Sequence, residues 1–214
     1  MKNILGVIPA RGGSKGIPYK NLMPFAGHPL IYWSIKDAQE SKLLPRFVVS
    51  TEDEKIAAYT RECGAEVMSR PPELAQDDSV IIDVLNDILE REPSVDAILL
   101  MQPTSPIRVN GLIDRVLSAY HDAGDVDSAA TGFLCRFWEW GSRRVNLPRQ
   151  VDPGYFYDDG NLYILSREDL RKGYWCGEKI LPIEVETEYH YEIDTPIEAI
   201  AAEAVMKHCL ERDA

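Results

Sequence analysis

The chain has 214 residues, 45% of them hydrophobic and 27% charged, a balance typical of globular proteins and a length that can bury a full core without disulfide or metal staples. Its formal charge is −12, which excludes a general nucleic-acid or anionic-membrane surface, because both need an extended basic patch. No apolar run approaches the ~20 residues of a membrane span, the chain opens on a strand rather than a charged leader, and the four cysteines are widely spaced without a CxxC, so a cytoplasmic protein with reduced thiols is expected.

Ile4-Leu5-Gly6-Val7-Ile8 is a continuous apolar run, the pattern of a parallel strand buried on both faces. Ile31, Ile35 and Ala38 follow at helical spacing. Phe47 to Thr51 reads as a second strand, Ile56 to Cys63 as a helix stopped by Gly64, and Glu66 to Met68 as a short third strand. A helix over Val80 to Leu89 leads to another buried strand, Ala97 to Met101. Leu112, Val116 and Ala119 mark the next helix. Ser128 to Gly132 and Gly160 to Leu165 are the last predicted strands, and Pro196 to Leu210 is the final helix.

Strands alternating with helices imply an α/β fold, a Rossmann-like, mostly parallel sheet with helices on both faces. One domain over residues 1–214 is expected, with a small irregular excursion at about 135–157 that holds Trp138 and Trp140. Ligands of open α/β sheets bind beyond the carboxyl ends of the strands. The loops after Ile4–Ile8, Phe47–Thr51 and Ala97–Met101 are therefore the places to look for chemistry.

The first of these loops, Arg11-Gly12-Gly13-Ser14-Lys15-Gly16-Ile17-Pro18-Tyr19-Lys20-Asn21, sets three cations and two adjacent glycines in an otherwise acidic chain. Glycines let backbone N–H groups approach a ligand, Arg offers a planar fork to phosphate oxygens, and Lys offers a compact charge, so the loop suits a polyphosphate. It fits neither GxxxxGK[ST] nor GxGxxG, which argues against a P-loop NTPase and a nicotinamide dehydrogenase. Near the other end, Glu192 and Asp194 stand two residues apart. In an extended segment both carboxylates face one side, a hard-oxygen pair suited to Mg²⁺. The competing role for Asp194 is to cap the helix that starts at Thr195-Pro196. His28, His121, His190 and His208 show no metal spacing and are expected on the surface or in ordinary packing.

The string Ile8 to Leu22 resembles the N-terminal signature of the acylneuraminate cytidylyltransferase family, which makes CMP-sialic acid and its bacterial relatives and is similar to the CMP-Kdo synthetases. Further matches follow in the same order: Val49-Ser50-Thr51, Arg70 to Ala75, Leu100 to Arg108, and Tyr191 to Pro196. The resemblance implies transfer of CMP from CTP to the anomeric hydroxyl of a 2-keto-3-deoxy sugar acid, a sialic-acid-like nonulosonate, with release of pyrophosphate. Kdo or a phosphonate is the alternative acceptor, and a non-catalytic nucleotide-binding protein the alternative class.

By that resemblance Arg11 and Lys15 hold the β- and γ-phosphates and Lys20 the α-phosphate, with Ala10, Gly12, Gly13 and Ser14 completing the nucleotide loop. Asn21 and Arg70 face the cytosine, unless Arg70 is spent on a surface ion pair with Glu73. Glu192 and Asp194 bind Mg²⁺, and Arg11, Lys20 and Asp194 are the catalytic set. Gln102, Thr104 and Ser105 contact the acceptor sugar, or else form a turn capped by hydroxyls. Arg144, Asp159 and Gly160 complete the sugar site. Many relatives carry Asn where Asp159 stands and some carry Arg where Tyr157 stands, which leaves Arg143, Arg144 or Arg149 as cations for the sugar carboxylate. Many relatives also dimerise through the excursion, which is shorter here, so a homodimer is one expectation. Trp138 and Trp140 line the sugar site, a dimer contact, or ordinary packing.

Overall fold

The computed structural model describes residues 2–137, 148 and 151–212. In chain order the strands and helices are β1 (Ile4–Pro9), a small hairpin of β2 (Pro24–Phe25) and β3 (His28–Pro29), α1 (Leu30–Glu40), β4 (Phe47–Thr51), α2 (Glu54–Glu62), β5 (Glu66–Ser69), α3 (Ile81–Arg91), β6 (Ala97–Met101), α4 (Leu112–Ala123), β7 (Ser128–Cys135), β8 (Tyr155–Ser166), α5 (Arg167–Arg171), β9 (Ile180–Glu184) and α6 (Pro196–Arg212). Seven strands form one sheet in the order β5-β4-β1-β6-β8-β7-β9. Every pairing is parallel except β6 with β8 and β8 with β7, so β8 alone runs against the others.

The alternation of side chains explains why the central strands are apolar throughout. Ile4 and Ile8 of β1, with Ala97, Leu99 and Met101 of β6, join the buried cluster under α1, α2, α4 and α6. Leu5 and Val7, with Ile98 and Leu100, join the opposite cluster under α3 and α5. The sheet is thus covered on both faces, as the sequence predicts. Helix ends follow local chemistry. The Asp53 carboxylate accepts from the N–H groups of Lys55 and Ile56 to start α2, and Gly64, at φ +74°, takes the left-handed turn just beyond its end.

Three features depart from the sequence reading. The predicted strands at 128–132 and 160–165 are longer, because Gly132–Cys135 and Tyr155–Asp158 continue pairing past a bulge at Ala130/Gly132. This takes Cys135 and Tyr155 to Tyr157 out of the expected excursion, while Trp138, Trp140, Arg143, Arg144 and Arg149 lie outside the described residues. Strand β9 was not expected, since Pro182 interrupts a five-residue segment. It sits at the sheet edge, paired only with β7, where proline is tolerated. Helix α5 is a single capped turn of five residues, too short to show a period. No described helix is long and apolar enough to cross a membrane.

Leu99 is fully buried in β6 between sheet and helices. We expect Leu99→Ala to cost about 3 kcal/mol in urea unfolding. Ile200→Ala, on the exposed side of α6, should change stability by less than about 0.5 kcal/mol in the same measurement.

Candidate functional site

Strand order reverses at β1: the chain runs outward to β4 and β5, then returns to place β6 on the other side. Loops leaving the carboxyl ends of β1, β5 and β6 wall a cleft of 240 Å³ at this switch point. Arg11, Gly13, Ser14, Lys20, Asn21, Arg70, Gln102 and Thr104 all line it. Segments far apart in sequence therefore meet as the motif order predicts. Two loop members are engaged elsewhere. Ala10 is fully buried, its N–H bonded to the Ser50 carbonyl at 2.9 Å. The Gly12 N–H donates to Glu52 Oε1 at 2.7 Å.

The cations of the loop are held by local acids. Arg11 donates to the Gln76 carbonyl at 2.8 Å and pairs with Asp77 at 3.3 Å, while Lys15 pairs with the other Asp77 oxygen at 3.1 Å. Asn21 donates to the Arg11 carbonyl at 2.9 Å, which fixes the backbone from which that guanidinium departs. Arg70 is 5% exposed and donates to the Ser50 carbonyl at 2.8 Å and more weakly to the Ser50 hydroxyl. Burial lowers its pKa, with the Glu52 carboxylate opposing. Its side chain belongs to the cleft floor, bonded to Ser50 rather than spent on an ion pair with Glu73.

Lys20 closes the site. Tyr19 takes a left-handed φ of +51°, unusual for a bulky residue, and its ring sits under the Lys55 ammonium at 4.8 Å. The turn points Lys20 inward, where Nζ donates to the Ile193 carbonyl at 2.9 Å and to Asp194 Oδ1 at 2.8 Å. Gly16 makes this approach feasible, since a Cβ there would overlap the Asp194 carbonyl oxygen. The cap of α6 falls to the next residue. Thr195 Oγ1 accepts from the Glu198 N–H at 3.4 Å, and Glu198 reaches back to the N–H groups of Asp194 and Thr195 at 2.9 and 2.8 Å, a capping box with Pro196 at the first helical position. The Asp194 carboxylate is thus spared for Lys20.

The far wall joins the β6 loop to β8. Gln102 Nε2 donates to the Gly160 carbonyl at 3.0 Å, and the Ile193 N–H donates to the Thr104 carbonyl at 2.8 Å. Gly160 has φ +74°, and a Cβ there would press on Glu192 Oε2 and Ser105 Oγ. Ser105 is fully buried and its hydroxyl has no partner, so it stands behind the wall rather than in the cleft. Asp159 Oδ1 accepts from Thr131 at 2.6 Å and from the Asn161 N–H at 3.0 Å, while its other oxygen is buried and unbonded, and burial raises its pKa. The Glu192 carboxyl is also raised, first by desolvation and then by the charges of Asp194 and Asp158. Arg144 lies outside the described residues. His190 stacks on Phe133 at 4.4 Å with a buried, unbonded Nε2, a packing role.

Sequence reasoning missed Glu52 and Asp77. Both are common acids in a chain with 35 of them, and only the folded loop shows that they face the cations. No group of three or more His, Cys, Asp or Glu side chains placed to hold a metal occurs among the described residues. The capping assignment predicts that Thr195→Ala costs about 1 kcal/mol in thermal melting. Asp194→Asn should cost less, because the Asp194 side chain is largely exposed and the Asn oxygen can still accept from Lys20.

The comparisons with known proteins converge on one chemistry. A family model described as Cytidylyltransferase matches residues 5–145. The N-acylneuraminate cytidylyltransferase A of Danio rerio is 31% identical over 94% of this chain and 50% of its own length. The chain thus spans about half the length of several curated relatives that it matches. It spans 96% of the CMP-N,N'-diacetyllegionaminic acid synthase of Legionella pneumophila, at 31% identity over 95% of this chain. A solved CMP:2-keto-3-deoxy-manno-octonic acid synthetase complexed with CTP superposes with a TM-score of 0.76, covering 97% of this chain and 99% of the other at 18% identity. That likeness carries the nucleotidyltransferase fold, and the match over residues 5–145 with the relatives at 31% carries the assignment: the chain belongs to the cytidylyltransferase family of nucleotidyltransferases.

Proposed function

We propose that the protein transfers CMP from CTP to the anomeric hydroxyl of a sialic-acid-like nonulosonate, releasing pyrophosphate. The observation that carries this reading is the cleft at the β1/β6 switch point, which brings Arg11, Lys20 and Arg70 together with Gln102 and Thr104, Gln102 being tied in turn to Gly160. The named chemistry of the 31%-identical relatives supports the acceptor class. In this reaction an O–P bond forms at the α-phosphorus as the bond to pyrophosphate breaks and the acceptor hydroxyl gives up its proton. Negative charge grows on the α-phosphoryl oxygens and the leaving group, so positioning and fixed cations supply most of the catalysis.

Lys20 is set to face that charge. Its ammonium is largely enclosed, with 13% of the side chain exposed, and its position is fixed by two oxygens from the last loop. Arg11 and Lys15 hold the outer phosphates by exchanging the Asp77 carboxylate for phosphate oxygens. Asn21 and Arg70 line the base end of the cleft. Glu192 and Asp194 fit Mg²⁺ as a partial ligand set, to be completed by phosphate oxygens. Both are hard carboxylates; desolvation first and the Asp194 charge second raise the Glu192 pKa, and a bound cation would offset both. Bound there, Mg²⁺ would neutralise phosphate charge. A homodimer and a cytoplasmic location remain parts of this proposal.

Pyrophosphate release from CTP against a panel of nonulosonates, Kdo and phosphonates tests the reading. Turnover with a nonulosonate is the expected result, and turnover only with Kdo or a phosphonate would replace the acceptor. Lys20→Ala, checked by melting to be folded, should lower kcat by about 10²–10³. Asp194→Asn should raise the Mg²⁺ concentration needed for half-maximal rate, and an unchanged Mg²⁺ profile would remove Asp194 from the metal set. Asp77→Asn should lower the KM for CTP, because the phosphates no longer compete with a carboxylate for Arg11 and Lys15. A higher KM would instead make Asp77 part of the nucleotide site.

A further inference from the structure

Arg108 ends the run from Gln102 yet lies outside the cleft. Its residue is 3% exposed, and three elements converge on its guanidinium. Nη1 donates to Ser34 Oγ on α1 at 2.8 Å. Nη2 donates to the Gln102 carbonyl at 2.6 Å and to the Asn161 carbonyl at 3.2 Å. Asp37 is the acidic group that acts most strongly on it, from the same helix as Ser34. Burial pushes Arg108 down to about 10 and pushes the Asp37 carboxyl up to about 7. The Nε of Arg108 and the Oδ2 of Asp37 are both buried and unbonded.

A cation with this surrounding is a poor means of gaining stability, since its desolvation offsets what its bonds return. What the guanidinium offers instead is rigid geometry: Nη2 donates to both carbonyls, while Nη1, fixed in the same plane, is anchored on Ser34. The two carbonyls that it holds belong to Gln102, just past the end of β6, and to Asn161 in the middle of β8. Gln102 grips Gly160 through its side-chain amide, and Arg108 grips Gln102 and Asn161 through their backbones. These are two adjacent ties across the β6–β8 junction. None of their three hydrogen bonds ends on Arg11, Lys20 or Arg70, the cations that share the cleft with Gln102.

We infer that Arg108 is a positioning residue for the acceptor wall: anchored on Ser34 of α1, it sets the spacing of Gln102 against Gly160–Asn161 and so governs recognition of the sugar acid separately from that of CTP. The inference rests on the cytidylyltransferase reading for the identity of the ligands, but the tie itself does not.

The test uses Arg108→Lys, which keeps the charge and loses the fork, and Ser34→Ala, which removes only the anchor. In Arg108→Lys the KM for the sugar acid should rise about ten- to a hundredfold, the scale of a misplaced binding group, while the KM for CTP is unchanged. Amide hydrogen exchange of the protein alone should accelerate at residues 102–105 and 160–162 and stay constant at residues 11–21. Ser34→Ala should shift both readouts in the same direction by less. Equal loss toward CTP and sugar acid, or unchanged exchange and unchanged sugar KM in either folded variant, overturns the inference. Should Arg108→Lys not fold, Ser34→Ala decides alone by the same two readouts. Wild-type protein that releases no pyrophosphate with any sugar acid overturns the proposed function instead, and the exchange comparison still judges the tie.

Discussion

The contact on which the site depends is Lys20 with the Ile193 carbonyl and the Asp194 carboxylate. It joins residues 173 and 174 positions apart, the first loop of the sheet to the last segment before α6. Neither partner is part of regular structure: Lys20 begins a single 3₁₀ turn, and Ile193 and Asp194 lie in a non-helical, non-strand stretch. Such segments need anchors, because a loop does not satisfy its own backbone groups. Here the anchors are chemical groups that the reaction can also use. The left-handed Tyr19 and the absent Cβ of Gly16 exist to let the two segments meet. Strain and a bare glycine at such a place are the expected marks of a functional loop.

The same logic distinguishes the two ends of the acidic pair. Thr195, Pro196 and Glu198 supply everything that α6 needs to start, so nothing in helix formation requires an acid at position 194. An acid that helix formation does not need is free to serve another charge, here the Lys20 ammonium. Glu192 contrasts with it: its carboxyl pKa is raised first by desolvation and then by the Asp194 charge, with Lys20 opposing.

Much of this was legible in the sequence, for identifiable reasons. The buried parallel strands announce themselves because both faces of β1 and β6 are apolar, and the basic loop after β1 stands out because three cations and an adjacent glycine pair are rare in an acidic chain. The hydroxyl, carboxylate and fork geometry around Arg108 was not legible. Arg108 carries an ordinary surface residue type, and only the packing of α1 against β6 and β8 makes it a core group. Strand β9 and the hairpin at Pro24–Pro29 were hidden by prolines, which hold edge and turn positions that a period-2 pattern cannot reveal. The Ser105 hydroxyl was expected either to face a sugar or to cap the turn after β6. Its complete burial follows from the turn that bonds its N–H to the Gln102 carbonyl at 3.1 Å, folding the side chain behind the wall.

An acidic protein that binds a polyphosphate faces an electrostatic problem, which the local pairings resolve. A net charge of −12 repels CTP at long range, but screening confines that repulsion to about 8 Å at physiological salt. Each cation in or beside the cleft already has an oxygen partner: Asp77 for Arg11 and for the exposed Lys15, Asp194 for Lys20, and Ser50 for Arg70, with the Glu52 charge nearby. Oxygen partners hold these side chains near the geometry that a phosphate would require, so ordering them at the moment of binding costs less. Binding then becomes an exchange of one oxygen ligand for another. Its net free energy is a difference between two similar sets of bonds, which favours moderate affinity for substrate. In the proposed reaction a group such as Lys20, with 13% of its side chain exposed, would gain most when the phosphoryl charge is largest. Its interaction would then be strongest in the transition state, where it would lower the barrier without tightening the hold on CTP.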